Sequence, residues 1–171
     1  MEDELIQVYV HGVVVDPVTN STIVLLVDMD KMKVLPLWIG AFEALAISQV
    51  LGNQKNPRPL THDLIVNIFR ESKSILQRTV IYTIKDNTFY AYLVLGLDDE
   101  RRVRVDSRPS DAIAVAIRTS SPIYVSEEVY SVAIDYNVIL DHNQMGGEVL
   151  NSELDSSEVK DWINKIKPSD F

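Results

Sequence analysis

The chain has 171 residues, 46% of them hydrophobic, which suits one domain with a core of its own. It contains no cysteine, so thiol nucleophiles, Cys-ligated zinc, iron–sulfur clusters and disulfides are excluded. The net charge of −9 sits mostly at the ends: residues 1–4 carry three acids and 148–171 six acids against three lysines, leaving 5–147 nearly balanced at −3. No run approaches the roughly 18 apolar residues of a membrane span, and the start Met1-Glu2-Asp3-Glu4 is acidic where a signal peptide is basic. A cytoplasmic protein without a membrane partner is expected. Nothing in the overall charge favours a sequence-independent grip on phosphates.

Residues 5–15 and 22–28 are β-branched and apolar, and they read as a hairpin with a longer loop. Residues 34–39 form a third strand, with Pro36 placing it at an edge or an irregular start. A helical period follows. Phe42, Leu45, Ala46, Gln49 and Val50 share a side, and Gly52-Asn53 marks the stop. After a loop at 53–59, Thr61 is the expected N-cap of a helix over 62–72. Leu60 and Ile65 would form its hydrophobic staple, and Leu64, Ile68 and Phe69 its apolar stripe.

Residues 75–107 read as a three-strand meander. Asp86-Asn87 suits a type I′ turn, pairing Ile84 with Phe89, Tyr82 with Ala91 and Val80 with Leu93. The turn at 98–100 sets Leu95 beside Val103 and Leu93 beside Val105, and gives the sheet one consistently apolar face. The other face would carry Tyr90, Tyr92, Arg102, Arg104 and Asp106, with Val94 and Ile81. A helix over 109–119 begins with Pro109, and its alanines allow close packing. Residues 123–125 are a short strand, and Ser126 caps a short helix to about residue 133. The whole predicts an α+β domain over 1–140: a mixed, largely antiparallel sheet with packed helices. Residues 141–153 read as a linker, and 154–171 as a short amphipathic helix that must bury Trp162 against something.

Among the histidines, His11 reads as structural and His142 as solvated. His62 stands in the first turn of a helix with Asp63 beside it. It is either an exposed first-turn residue, with Asp63 complementing the helix dipole, or a general base or metal ligand whose ring the helix start keeps neutral. The run Asp106-Ser107-Arg108-Pro109-Ser110-Asp111 joins a strand to a helix. Arg108 offers a fork for phosphate, and Asp106 and Asp111 could hold Mg²⁺ or Mn²⁺ through oxygen, with Glu43 as a third carboxylate. The alternative is that Ser110 and Asp111 satisfy the helix start while Asp106 pairs with Arg108. Tyr90 and Tyr92 with Arg102 and Arg104 suit either base stacking or a protein interface. There is no P-loop, GxGxxG, GxSxG or HExxH signature.

Three ordered blocks carry a resemblance: Leu35-Pro36-Leu37-Trp38-Ile39-Gly40-Ala41-Phe42-Glu43-Ala44, Arg58-Pro59-Leu60-Thr61-His62-Asp63-Leu64 and Asp106-Ser107-Arg108-Pro109-Ser110-Asp111-Ala112-Ile113-Ala114. Together they resemble the bifunctional nuclease domain family, named for activity on RNA and DNA, over residues 5–133. Ser107 and Ala41 stand where the family commonly has alanine and proline. The resemblance implies a nuclease acting on RNA or DNA, and with the carboxylates singled out above the first reading is a metal-assisted one. Its expected catalytic residues are His62, Asp63 and Arg108. Glu43, Asp106 and Asp111 would bind Mg²⁺ or Mn²⁺, and Arg58, Tyr92 and Arg104 would bind substrate. The reading from another class is a non-catalytic homo-oligomeric binding or regulatory module. A homo-oligomer, most simply a dimer through the tyrosine face or the terminal helix, is expected in either case.

Overall fold

The computed structural model describes residues 4–15, 20–98 and 100–136. The expected linker and terminal helix lie outside them. The chain opens with three antiparallel strands, β1 (Leu5–Val15), β2 (Thr22–Asp28) and β3 (Lys33–Ile39), as the alternating β-branched pattern predicts. Helices α1 (Ala41–Leu51) and α2 (Thr61–Glu71) follow. A second antiparallel meander comes next: β4 (Ile75–Lys85), β5 (Thr88–Gly96) and β6 (Arg102–Ser107). Helix α3 (Pro109–Thr119) leads to β7 (Ile123–Ser126), α4 (Glu127–Ser131) and the two-residue β8 (Ile134–Asp135).

The eight strands form one mixed sheet in the order β6-β5-β4-β7-β1-β2-β3-β8. Strand β7 joins the two meanders. It runs antiparallel to β1 and parallel to β4, the one parallel pairing among the described strands. Helix α3 lies against β4 and β5, flanked by α1 and α2. Its run Ala112–Ala116 is buried, and the small side chains let its backbone approach both neighbours and the sheet. Val24, Leu26, Leu35, Leu37, Ile47, Ile81, Leu93 and Ile113 belong to the core between the layers. The α+β class, the strand boundaries and the mostly antiparallel sheet are as expected from sequence.

The local differences have physical causes. The type I′ turn is present, with Asp86 and Asn87 at φ 49° and 57°, and it pairs Ile84 with Phe89 as expected. A bulge between Ile81 and Thr83 then inserts Tyr82, so Ile81 faces Ala91 and Val80 faces Tyr92. Ile81 therefore joins the helix-covered core rather than the tyrosine face, and Val94 is only 6% exposed. Pro36 occupies a stretch of β3 beyond the pairing with β8, which reaches only Lys33 and Val34. Leu60, not Thr61, is the N-cap of α2. A leucine side chain accepts no hydrogen bond, so the start is held by the other half of a capping box: Asp63 Oδ2 accepts from the Leu60 N–H at 2.8 Å.

Both outer helices depart in part from the expected apolar faces: Ala46 of α1 and Phe69 of α2 face inward as expected, and other members do not. On α1 the buried residues are Ala44, Ala46 and Ile47, while Phe42 and Leu45 are exposed. On α2 the inward residues are His62, Ile65, Val66 and Phe69, and Leu64 and Ile68 face outward. Ser126 does cap α4, accepting from the Val129 N–H at 3.2 Å, but that helix stops at Ser131.

Candidate active site

Three helix starts meet at one end of the helical layer. Glu43 lies in the first turn of α1, whose N-cap is Gly40. Its carboxylate folds back over Gly40, in the space a Cβ there would occupy. Asp111 lies in the first turn of α3, with Arg108 as N-cap and Pro109 locking the first helical residue. Acids in these positions complement the partial positive charge of a helix N-terminus.

Arg108 ties the pieces together. Its Nε donates to Asp111 Oδ2 at 2.7 Å. Its Nη2 donates to Asp111 Oδ1 at 3.1 Å and to Glu43 Oε1 at 2.8 Å. His62 Nε2 lies 3.0 Å from Asp111 Oδ1. The result is a chain of contacts, Glu43–Arg108–Asp111–His62, linking α1, α3 and α2. The Arg108 side chain remains 66% exposed while Glu43 is 18% exposed, so the guanidinium faces solvent on a carboxylate floor. Burial alone would raise the Asp111 carboxyl pKa, but hydrogen bonds from Arg108 and His62 outweigh it and the net shift is downward. Pairing with Asp111, then Glu43, raises that of Arg108.

His62 is 8% exposed, so it is not the exposed first-turn residue of the simpler sequence reading. Asp63 points a different way. Its Oδ1 accepts from Arg118 Nε at 2.7 Å, and Arg118 Nη1 donates to the Ala114 carbonyl at 2.9 Å. The Arg118 side chain is only 6% exposed. Burial raises the Asp63 carboxyl pKa, but the Leu60 N–H and Arg118 hold it below the usual range. Adjacent residues of α2 thus grip opposite ends of α3.

The other expected site residues lie elsewhere. Asp106 is exposed and stands opposite Tyr92 in the β5–β6 ladder. Directly opposed residues share a sheet face. Ala91 and Leu93 belong to the core under the helices, so Tyr92 and Asp106 project from the far face. There Arg104 stacks over the Tyr92 ring at 4.9 Å, and Tyr82 lies 5.4 Å from it. The three carboxylates expected to share a cation are therefore split: Glu43 and Asp111 meet through Arg108, and Asp106 is across the sheet. Among the described residues no three His, Asp or Glu groups are placed to hold a metal ion. His11 packs edge-on between the rings of Tyr9 and Tyr136. His142 is outside the described residues.

Arg58 lines a surface groove of about 410 Å³ at the opposite end of α3, together with Asp63 and Arg118. Sequence reasoning did not find Arg118. Its position as a base in the last turn of a helix already satisfies the helix dipole, which hides any further role.

Fold and cluster define an α+β domain that gathers acid, imidazole and guanidinium at the shared N-terminal ends of its helices. The family model for the bifunctional nuclease domain matches residues 24–135. An uncharacterised protein of Mycobacterium tuberculosis is 33% identical over 165 residues, 96% of this chain and 97% of that protein. Bifunctional nuclease 1 of Oryza sativa is 23% identical over 116 residues, 67% of this chain and 35% of that protein. The chain belongs to the bifunctional nuclease domain family. Among the described residues no helix is long and apolar enough to cross a membrane.

Proposed function

We propose that this protein hydrolyses phosphodiester bonds in RNA or DNA at the Glu43–Arg108–Asp111–His62 cluster. The observation that supports this reading is the meeting of all three sequence blocks at one solvent-facing guanidinium. Arg108 is held by two carboxylates, so its fork is pre-oriented while most of the side chain stays open to solvent. With Nε and Nη2 given to the two carboxylates, a phosphate approaching that surface would meet the Nη1 amino group as a fixed charge-assisted donor, which stabilises charge as it builds in the transition state. Asp111 orients the His62 ring through Nε2, and Nδ1 is the nitrogen left to take a proton from attacking water. Asp63 acts beside it as a positioning residue, anchoring α2 to Arg118.

The expected Mg²⁺ or Mn²⁺ fits this donor set poorly, because Arg108 already occupies the space between Glu43 and Asp111. The residues as placed favour a guanidinium in the charge-stabilising role. Incubating purified protein with single-stranded RNA and DNA, with chelator or with each divalent ion, tests both points. Cleavage lost in His62→Gln and Arg108→Ala is expected. No cleavage under any condition overturns the reading.

One observation favours the second reading, a self-associating binding module. Phe42 is 86% exposed, and Leu45, Leu64 and Ile68 are each more than half exposed on α1 and α2. Side chains of this kind covered by a second copy would make a homodimer. Light scattering distinguishes a dimer from the 19.3 kDa chain.

A further inference from the structure

We infer that the groove at the C-terminal end of α3 is a nucleotide-binding subsite for single-stranded nucleic acid. This rests on the nuclease reading and names the substrate form that the cluster would receive. Three of the groove's lining residues are cations, Lys55, Arg58 and Arg118, against one acid, Asp63. The groove is thus locally positive on a chain of net charge −9, which singles it out for an anion. Arg118 is not a loose surface charge. Asp63 and the Ala114 carbonyl engage its Nε and Nη1, and its Nη2 amino group takes part in neither bond.

The remaining polar lining is amide: Gln49, Gln54, Asn56 and Asn67. Each side chain carries both donor and acceptor, the combination presented by an unpaired base edge. Such edges are open to reading in single strands and are committed to pairing in a duplex. Val50 and the two prolines, Pro57 and Pro59, supply apolar wall. At about 410 Å³ the groove sits near the lower end of ligand pockets, which run from roughly 300 to 1,000 Å³. That suits one nucleotide rather than a double helix.

Its position relative to the cluster supplies direction. His62 and Asp63 are neighbours, one belonging to the cluster and the other to the groove. Along α3, Asp111 and Arg118 are two helical turns apart, a rise of about 10 Å. Arg108, the N-cap of α3, lies ten residues before Arg118, a rise of about 15 Å, so a strand seated in the groove would reach it through the next few nucleotides rather than through the adjacent phosphate.

Fluorescence anisotropy on the full chain, in chelator, tests this with a labelled single-stranded RNA, a DNA of the same sequence, and each annealed to its complement. Binding to either single strand, with the duplex bound at least about tenfold more weakly, is expected. Lys55→Ala/Arg58→Ala should weaken binding about tenfold and lower the salt slope by about 1.4, near 0.7 per lost phosphate contact. Asn56→Glu, at an exposed position, should weaken it similarly if the double variant does not fold. In a cleavage assay the double variant should raise KM and leave kcat unchanged. No binding by the wild-type chain, equal binding by a folded variant, or preference for duplex overturns the inference. Single-strand binding without cleavage leaves the groove standing and overturns the nuclease reading. Cleavage with unchanged KM in the double variant does the reverse.

Discussion

Arg108 and Asp111 lie three residues apart, yet they make different demands on substitution. Arg108→Lys keeps the charge but removes the fork that grips Asp111 and the Nη1 donor it holds in place, so cleavage should fall at least about a hundredfold. At 66% exposure the stability cost should stay below about 1 kcal/mol, and melting temperature against activity separates the two effects. Asp111→Asn should abolish activity, whereas Asp106→Asn, across the sheet, should leave it nearly intact. Equal losses in both would mean that Asp106 reaches the same centre. Gly40→Ala is a finer test. The Gly40 backbone, at φ −68° and ψ 157°, suits any residue, so the added methyl acts only by displacing the Glu43 carboxylate. Loss of activity with an unchanged melting temperature is expected. Acid stability follows from the depressed carboxyl values of Asp111 and Asp63. A lowered folded pKa gives stability that is complete above the unfolded value, about 3.9, and is lost as pH falls through the folded one. Thermal melts should therefore weaken below about pH 4, and less so in Asp63→Asn. His62, Arg108 and Asp111 were legible as candidates because a polar run at a helix start is locally visible. That they share Asp111 as a hub, and that Asp106 faces away, depends on sheet alternation and on contacts between residues 49 and 65 positions apart.

At the scale of elements, strand and helix boundaries followed from β-branched runs, the Asp86-Asn87 turn and Pro109. Which helix face lies inward did not. Both α1 and α2 carry apolar residues on more than one side, so periodicity alone selected Phe42, Leu45, Leu64 and Ile68, which the fold leaves outside. The bulge at Tyr82 was equally silent: register is read from its turn, and one inserted residue exchanges faces beyond it. The polar turn at Met29–Lys33 is where the sequence places it, after β2, but the residue that organises it is not marked by any local pattern. Asp28, 3% exposed, accepts from the Met32 and Lys33 N–H groups at 2.9 and 3.0 Å and from the Tyr130 hydroxyl at 2.5 Å. Burial and then the Asp28 carboxylate push the Tyr130 hydroxyl up to about 12. Asp28→Ala would leave three donors without their acceptor and should cost about 2–4 kcal/mol, read by urea melts. Tyr130→Phe should cost about 1 kcal/mol and remove the highest-pH step from the tyrosine absorbance titration.

For the whole molecule, the eight-strand order depends on β7 entering between β4 and β1, a pairing between distant segments that no local pattern encodes. That topology fills one face of the sheet with α1, α2 and α3 and turns the outer sides of α1 and α2 to solvent beside the cluster. The sheet face first expected to drive assembly has less apolar surface than its sequence suggests, since Val94 and Ile81 are buried and Tyr92 stacks with Arg104. The helical face has more: Phe42 and Leu45 on α1, Leu60, Leu64 and Ile68 on α2. On α2 the three recur at four-residue spacing and form one outward stripe. Exposed apolar side chains grouped in this way mark interfaces, and closed twofold pairs are their commonest use. We therefore propose the helices next to Glu43, rather than the sheet, as the surface through which a second copy would dock. Phe42→Glu and Leu64→Glu should each convert a dimer to a monomer at micromolar concentration by light scattering, with secondary structure retained by circular dichroism. Tyr92→Glu should leave the mass unchanged. A wild-type mass of a single chain would remove the dimer, and a dimer that survives both helix variants but not Tyr92→Glu would return the interface to the sheet.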